Sequence, residues 1–277
     1  MPENRSQNEK VNAFRTMHRG PRILLLPNVW DVASARVVEE AGFGALATTS
    51  AGIAFSLGYP DGQKIKPEEM LARVERIARA VKVPVSADME AGYGNRPEDA
   101  ARTTRAVIEA GAVGMNLEDG TDDPQHPLVE LALQLGKIRA ARETALASGT
   151  LLVLNARTDV YLSVGAPEKR YDETLRRLLA YRDAGADCVF APGLRDPYTI
   201  AKLVKDVRCP LNILVGPGSP SVLELEKLGV ARISLGSAPM RATLGLLRRM
   251  VEELNRTGTY ATLEGAPAHA DVNRMLG

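Results

Sequence analysis

Short apolar segments alternate along the chain with longer stretches in which apolar residues recur every three or four positions. Eight of the short segments read as buried strands, which are often continuously apolar. They cover residues 23–27, 45–50, 83–88, 113–117, 151–156, 187–191, 211–215 and 231–235. The longer stretches predict amphipathic helices, among them residues 67–81, 97–110, 171–184 and 197–207.

Glycine follows several predicted helices and leads directly into the next strand, as expected for a residue that accepts the left-handed conformation at a helix C-terminus. These residues are Gly42, Gly111, Gly185 and Gly229. Eight strand–helix units in a row imply parallel strands with crossover connections. We therefore predict an α/β fold, a single-domain (β/α)8 TIM barrel over residues 1–277. It should carry an extra helix before residue 23 and a helical extension after residue 250, with a poorly patterned tail from residue 265. The competing fold, a doubly wound open sheet, would have a glycine-rich dinucleotide-binding turn after an early strand, and the sequence has no such turn.

Composition narrows the expected partners. The 277 residues include 35 Lys and Arg against 34 Asp and Glu, so no overall field attracts nucleic acid or an anionic membrane. No apolar stretch approaches the roughly 18 residues of a membrane span, and residues 1–10 lack the apolar centre of a signal peptide. Cys188 and Cys209 read as small buried hydrophobes rather than a disulfide. We expect a cytoplasmic protein with no nucleic-acid or membrane partner.

Carboxylates follow two neighbouring predicted strands, with Asp88 and Glu90 after the third and Glu118 after the fourth. In a barrel these strand ends share one rim, where chemistry is found. Clustered carboxylates repel one another and so raise one another's pKa. A bound divalent cation offsets this repulsion. Oxygen ligands suit Mg2+, and Mn2+ accepts them too. The alternative is that the three acids are helix caps or salt-bridge partners.

Two more residues are candidates for the same rim. Arg157 ends the fifth predicted strand, and its planar guanidinium can hold a carboxylate or phosphonate through two hydrogen bonds. The alternative is a structural ion pair with Asp159 or a neighbouring acid. Asp61 lies in a glycine-flanked loop after the second strand, where turn chemistry alone would also explain it.

These residues resemble the isocitrate lyase/phosphoenolpyruvate mutase superfamily over about residues 25–241. The resemblance implies a Mg2+ site with Asp88 as direct ligand, Glu90 and Glu118 acting largely through bound waters, and Asp61 near the reacting centre. It rests on the segments Asn-Val-Trp-Asp-Val-Ala-Ser-Ala from residue 28, Leu-Gly-Tyr-Pro-Asp from 57, Asp-Met-Glu-Ala-Gly-Tyr-Gly-Asn from 88, Leu-Glu-Asp from 117 and Ala-Arg-Thr-Asp from 156.

The resemblance also implies how a substrate would be held. The backbone around Thr49, Ser50 and Ala51 would bind a substrate carboxylate, Arg157 would bind the substrate and serve the reaction, and Asn212 matches a polar position after the seventh strand. The shared chemistry passes through an enolate of a 2-oxo acid, stabilised by Mg2+ as a Lewis acid. A homotetramer that exchanges its final barrel helix between subunits is implied as well.

One departure from the family pattern concerns a loop. The lyases carry a Lys-[Lys/Arg]-Cys-Gly-His loop whose Cys is the general acid, but residues 120–127 contain no Cys. Counted from Glu118, His126 takes that place, and we hypothesise that it is a substitute acid/base on a mobile lid. A plain surface-loop histidine is the alternative. Loss of the basic loop residues disfavours isocitrate and methylisocitrate cleavage, and Pro124 stands where the mutases keep a Lys.

Together these features predict a Mg2+-dependent enzyme acting on a small 2-oxo acid or a hydroxy di- or tricarboxylate. Cleavage of a C–C bond is the expected reaction, by aldol-type lysis, oxaloacetate decarboxylation or acyl hydrolysis. Two alternatives stay open: C–P bond chemistry on a phosphonopyruvate-like substrate, and a non-catalytic 2-oxo acid binding protein.

Overall fold

A computed structural model of the chain describes residues 6–121, 123–163 and 165–277. Its strands form one fully parallel sheet in the order β1-β9-β8-β7-β6-β5-β4-β3-β2. The strands are β1 (Leu24–Leu26), β2 (Asn28–Val29), β3 (Leu46–Thr48), β4 (Val85–Asp88), β5 (Gly114–Glu118), β6 (Val153–Arg157), β7 (Cys188–Phe190), β8 (Leu211–Leu214) and β9 (Arg232–Ser234).

The sheet closes into a barrel because its first strand is divided between two neighbours. β1 pairs with β9, whereas β2, one residue further along the chain, pairs with β3. Pro27 separates the two segments and has no amide hydrogen for a ladder, but its carbonyl accepts a hydrogen bond from the Ala47 amide at 3.0 Å. Counted as one strand, β1 and β2 complete the eight-stranded barrel, so the predicted fold is confirmed.

The side chain of Asn28 ties this divided strand to both of its neighbours. Its Oδ1 accepts hydrogen bonds from the backbone amides of Leu235, at 2.7 Å, and Gly236, at 2.9 Å. Its Nδ2 donates to the carbonyl of Thr48 at 2.8 Å. One buried amide therefore joins the end of β9 to the end of β3 across the line of closure.

Helices surround the barrel, and the four predicted in detail are observed close to the expected bounds. They are α1 (Gln7–Met17), α2 (Val32–Glu40), α3 (Ser50–Ser56), α4 (Pro67–Ala80), α5 (Pro97–Glu109), α6 (Leu131–Ala147), α7 (Val160–Ser163), α8 (Pro167–Asp183), α9 (Pro197–Val207), α10 (Val222–Lys227), α11 (Ala238–Thr257) and α12 (His269–Leu276). Helix α8 begins at Pro167 rather than residue 171, since proline suits a first helical turn. All four predicted helix-ending glycines have positive φ.

The predicted N-terminal helix, α1, packs beneath the barrel. Its Val11 and Phe14 are buried among residues of the strand interiors. Gly114 leaves room for this packing, because a Cβ there would lie 2.7 Å from the Phe14 ring. With this end covered, the C-terminal ends of the strands form the accessible end of the barrel.

The C-terminal region differs from expectation in one respect. The tail contains helix α12, which packs on α2 through the partly buried Val272 and Met275. Within the described residues, no helix is both long enough and apolar enough to cross a membrane. Cys188 and Cys209 are both free thiols, as predicted, but only Cys188 is fully buried, whereas Cys209 is partly exposed.

Candidate active site

A polar cavity of about 380 Å³ opens at the C-terminal rim of the barrel. It brings together four of the residues singled out from the sequence, Asp61, Glu90, Glu118 and Arg157. The lining also includes residues that were not predicted, namely Gly62, Gln63, Ala91, Asn95, Gly120, Thr121, Val129, Lys137 and Asp159.

Asp88 lies at the end of β4, buried next to the start of α3. Its Oδ2 accepts two hydrogen bonds from Ser50, one from the backbone amide at 3.0 Å and one from the hydroxyl at 2.9 Å. Thr49 caps the same helix, accepting a hydrogen bond from Gly52 N at 3.2 Å. The segment that the resemblance assigns to carboxylate binding, residues 49–51, thus directly adjoins the expected metal ligand.

Glu90 lies in a loop with unusual backbone geometry. Glu90 and Tyr93 have φ values of 50° and 55°, a left-handed conformation that is costly for residues other than glycine. Three hydrogen bonds hold the loop. The backbone N–H of Gln63 and the hydroxyl of Tyr93 each donate to the Glu90 carboxylate, and the backbone N–H of Tyr93 donates to the side-chain Oε1 of Gln63 at 2.7 Å. Gln63 therefore links the Asp61 loop to the Glu90 loop.

The carboxylates of the rim repel one another. Burial, together with the nearby charges of Asp88 and Asp61, raises the pKa of Glu90 to about 7. Burial also raises the pKa of Glu118; Arg157 opposes this shift and Asp159 adds to it. Such mutual shifts are characteristic of functional sites, and a bound cation would relieve them.

Arg157 is held between two acids in this arrangement. Its Nη1 lies 2.6 Å from Glu118 Oε2, and its Nε and Nη2 donate to the two oxygens of Asp159 at 2.5 and 2.9 Å. The guanidinium also lies over the Phe190 ring. The structural ion pair between Arg157 and Asp159, which was the alternative interpretation of Arg157, is therefore present, and the Arg157 side chain also lines the cavity.

Asp119, the second acid of the Glu-Asp pair, has a structural position. It is fully buried and accepts hydrogen bonds from Thr158 Oγ1 at 2.7 Å, Asp159 N at 2.8 Å and Arg177 Nη1 at 3.0 Å, and from the Tyr181 hydroxyl. A buried carboxylate with this many donors fixes the backbone around it. It holds the end of β6, and with it Arg157, against β5.

Lys137 lines the cavity but was not among the site residues predicted from the sequence. It is 1% exposed, and its ammonium donates to the carbonyls of Ala91 at 3.1 Å and Gly94 at 2.7 Å. Burial lowers its pKa. The burial of Lys137 could have been predicted from the sequence, because it lies three residues after Gln134 and four before Ala141, on the buried face of α6.

Six predicted site residues lie outside the cavity lining: Asp88 and residues 49–51, described above, and His126 and Asn212. The His126 side chain is 79% exposed and its Nδ1 lies 2.9 Å from Asp123 Oδ2. Asn212 is completely buried inside the barrel, where it exchanges hydrogen bonds with Ser234. The structure thus does not bring His126 and Asn212 together with the rim carboxylates.

The donor chemistry fits a hard cation held partly through water. No group of three or more Asp, Glu, His or Cys side chains converges tightly enough to enclose a metal within the ranges that the structure describes. Mg2+ usually binds through one or two carboxylates and keeps several waters. Asp88, with Glu90 and Glu118 near it at the same rim, offers oxygen ligands of this kind.

Comparison with known proteins now identifies the family. The Phosphoenolpyruvate phosphomutase family model matches residues 14–255, and the chain belongs to this family. It is therefore a member of the isocitrate lyase/phosphoenolpyruvate mutase superfamily of enzymes, as the resemblance implied.

Relatives and solved structures agree with this assignment. An uncharacterized protein of Mycobacterium tuberculosis is 34% identical, over 91% of this chain and 95% of its own length. Oxaloacetate decarboxylase 2 of Pseudomonas fluorescens is 29% identical, over 88% and 85%. A Burkholderia cenocepacia protein assigned as a lyase/mutase has a TM-score of 0.92 and 41% identity, over 97% and 96%. Oxaloacetate acetylhydrolase in complex with its product oxalate has a TM-score of 0.85 and 29% identity, over 97% and 94%.

We predict that Lys137→Met loosens the Glu90 loop. The buried carbonyl of Ala91 and the partly buried carbonyl of Gly94 would lose their donor, which costs about 1–3 kcal/mol of unfolding free energy. Amide hydrogen exchange across residues 88–95 should become faster, while exchange in β7 should not change. Arg139→Met, an exposed change two residues away on α6, is the control. Equal exchange in both variants would contradict the role given to Lys137.

Proposed function

We propose that this protein is a Mg2+-dependent enzyme that cleaves a C–C bond of a small dicarboxylate, either a 2-oxo acid of the oxaloacetate type or a substituted malate. One observation carries the proposal: Glu90, Glu118 and Arg157 line a single polar cavity at the barrel rim, and all three lie close enough to Asp88 to be influenced by its charge. The names of two relatives, an oxaloacetate decarboxylase and an oxaloacetate acetylhydrolase, support this substrate class. We place the activity in the cytoplasm.

Each residue has a proposed part. Bound Mg2+ would supply the Lewis acid that stabilises the enolate oxyanion as the C–C bond breaks. Asp88 is the proposed direct ligand, kept in orientation by Ser50, with Glu90 and Glu118 acting through water. Mn2+ would serve the same oxygen donors.

Other residues would bind the substrate. The backbone at Thr49, Ser50 and Ala51 would hold one carboxylate at the start of α3. Arg157 would bind the substrate from the opposite side, and Asp61 would lie near the reacting carbons. Asn212, inside the barrel, would support this side of the pocket from below.

The charge of the cavity favours a dicarboxylate over a tricarboxylate. Lys137 and Arg157 are the basic residues among the described cavity lining. The ammonium of Lys137 is bonded to two carbonyls, and Arg157 is shared by two acids. A third substrate carboxylate would have to displace one of these contacts, at the cost of leaving a buried charge unpaired.

We expect the purified protein with Mg2+ to consume oxaloacetate or a substituted malate, with products identified by mass spectrometry. The panel should also contain isocitrate, methylisocitrate and phosphonopyruvate. EDTA should abolish turnover, and Asp88→Ala should lower it by at least about 100-fold, since Lewis-acid stabilisation contributes several kcal/mol.

Asp183→Ala is the matched control, because this aspartate is exposed at the end of α8. It should react like the wild type. Metal-independent turnover, or equal rates in Asp88→Ala and Asp183→Ala, would refute the proposed site. Binding of 2-oxo acids without turnover of any compound would instead support a binding protein.

We retain His126 as the proposed acid/base of the lid, which would have to turn inward from its exposed position. General acid catalysis contributes at least about 100-fold, so His126→Ala should lower turnover by a similar factor, while Gln125→Ala should not. Unchanged turnover in His126→Ala would remove this residue from the mechanism.

C–P bond chemistry is a second candidate, favoured by the family match to phosphoenolpyruvate phosphomutase. Against it, the described cavity lining contains no lysine from the loop after Glu118. Selective turnover of phosphonopyruvate in the same panel would establish this candidate in place of C–C cleavage.

We further propose a homotetramer in which helix α11 is exchanged between subunits. Leu244, Leu247, Val251 and Leu254 form an apolar stripe along α11, and they are 45–58% exposed. A stripe with this spacing usually packs against another surface.

Light scattering should give a mass four times 29.8 kDa. Leu247→Asp should lower that mass, because it places a charge in the stripe. Leu223→Asp changes an equally exposed leucine on α10 and should leave the mass unchanged. A monomeric wild-type protein would contradict the tetramer.

A further inference from the structure

Arg232 occupies an unusual position for an arginine. It belongs to β9, its side chain is completely buried inside the barrel, and it forms no ion pair with any residue that the structure describes. Its Nε and Nη1 have no hydrogen-bond partner. Burying a guanidinium without a carboxylate costs several kcal/mol, so a compensating role in this part of the barrel is to be expected.

The remaining nitrogen, Nη2, begins a chain of hydrogen bonds that leads to the rim. It donates to Asn116 Oδ1 at 3.4 Å, and Asn155 Nδ2 donates to the same oxygen at 2.7 Å. Asn116 Nδ2 in turn donates to Asp88 Oδ1 at 3.3 Å. These contacts connect Arg232 on β9 and Asn155 on β6 to Asp88 on β4 through the side chain of Asn116, which belongs to β5.

The direction of this chain follows from the chemistry of its first member. A guanidinium has donors only, so the atom of Asn116 that faces Arg232 must be the carbonyl oxygen. The amide nitrogen is then turned toward Asp88, where it meets a carboxylate acceptor. The other oxygen of Asp88 is held by Ser50, so both oxygens have a fixed donor.

We propose that Arg232 is a positioning residue for Asp88, acting through Asn116 to orient the carboxylate that would bind the metal. This inference rests on the proposed function, because it takes Asp88 as the metal ligand. Outer partners of metal ligands typically change metal affinity by about 10–100-fold when they are removed. Arg232 would thus influence the site although it touches neither metal nor substrate.

The sign of the effect separates positioning from simple electrostatics. A buried positive charge repels a cation, so removing it should tighten cation binding if charge alone mattered. If Arg232 instead fixes Asn116 and Asp88, removing it should weaken binding. Direct measurement of metal affinity, without any substrate, therefore tests the inference.

The experiment is a Mn2+ titration of purified protein, with free Mn2+ followed by electron paramagnetic resonance and folding checked by circular dichroism. Arg232→Met and Asn116→Ser should each weaken Mn2+ binding by about 10-fold. The double variant should bind no more weakly than the weaker single variant, because both changes break one chain. Ser86→Ala is the matched control, since this buried serine lies on the same strand as Asp88 and its hydroxyl has no partner; it should bind like the wild type.

Unchanged or tighter Mn2+ binding in Arg232→Met, or losses that multiply in the double variant, would overturn the positioning role. If Arg232→Met does not fold, Asn116→Ser decides the matter alone, and wild-type affinity in that variant overturns it too. A wild-type protein that binds no Mn2+ would refute the proposed metal site as well as this inference. Normal wild-type binding with an unaffected Arg232→Met would refute only the inference.

Discussion

Closure of the barrel at its divided first strand is the constraint on which the site depends. Strand β1 pairs with β9 and strand β2 with β3, so a single chain segment completes both sides of the sheet. Proline at the break removes one ladder donor, and the Asn28 side chain joins the two sides instead. Parallel strands place their carboxyl ends at one rim, and closure of the barrel curves the sheet so that the ends of β4, β5 and β6 face a common cavity.

The convergence of these strand ends brings carboxylates that repel one another close together, and the surrounding structure holds them in place. Several carboxylates lie close together, and two of them have raised pKa values. Rigid polar contacts from below and beside the rim oppose this repulsion: Asp119 fixes the end of β6, Lys137 fixes the Glu90 loop, and Asn116 reaches Asp88. These groups are buried and extensively hydrogen-bonded, so they hold the geometry of the site against the repulsion between its carboxylates.

The sequence was sufficient for the fold because each strand, helix and helix-ending glycine leaves a local pattern. It also located the rim carboxylates, since an acid directly after an apolar run is a local feature too. It did not reveal the partners of Lys137, whose two carbonyls lie 46 and 43 residues away in the chain. Helix α12 was missed because it spans only His269–Leu276, too short for an apolar repeat to stand out in the sequence. The direction of the His126 side chain depends on a loop contact with Asp123.

The left-handed backbone at Glu90 has a consequence for how such a chain changes over generations. A glycine would adopt that conformation with less strain, yet it would remove a carboxylate from the rim. Stability and chemistry therefore select different residues at one position. Selection for heat resistance alone would favour relief of this backbone strain, whereas selection for the chemistry of the rim would keep the acid, so the two would act in opposite directions on one residue.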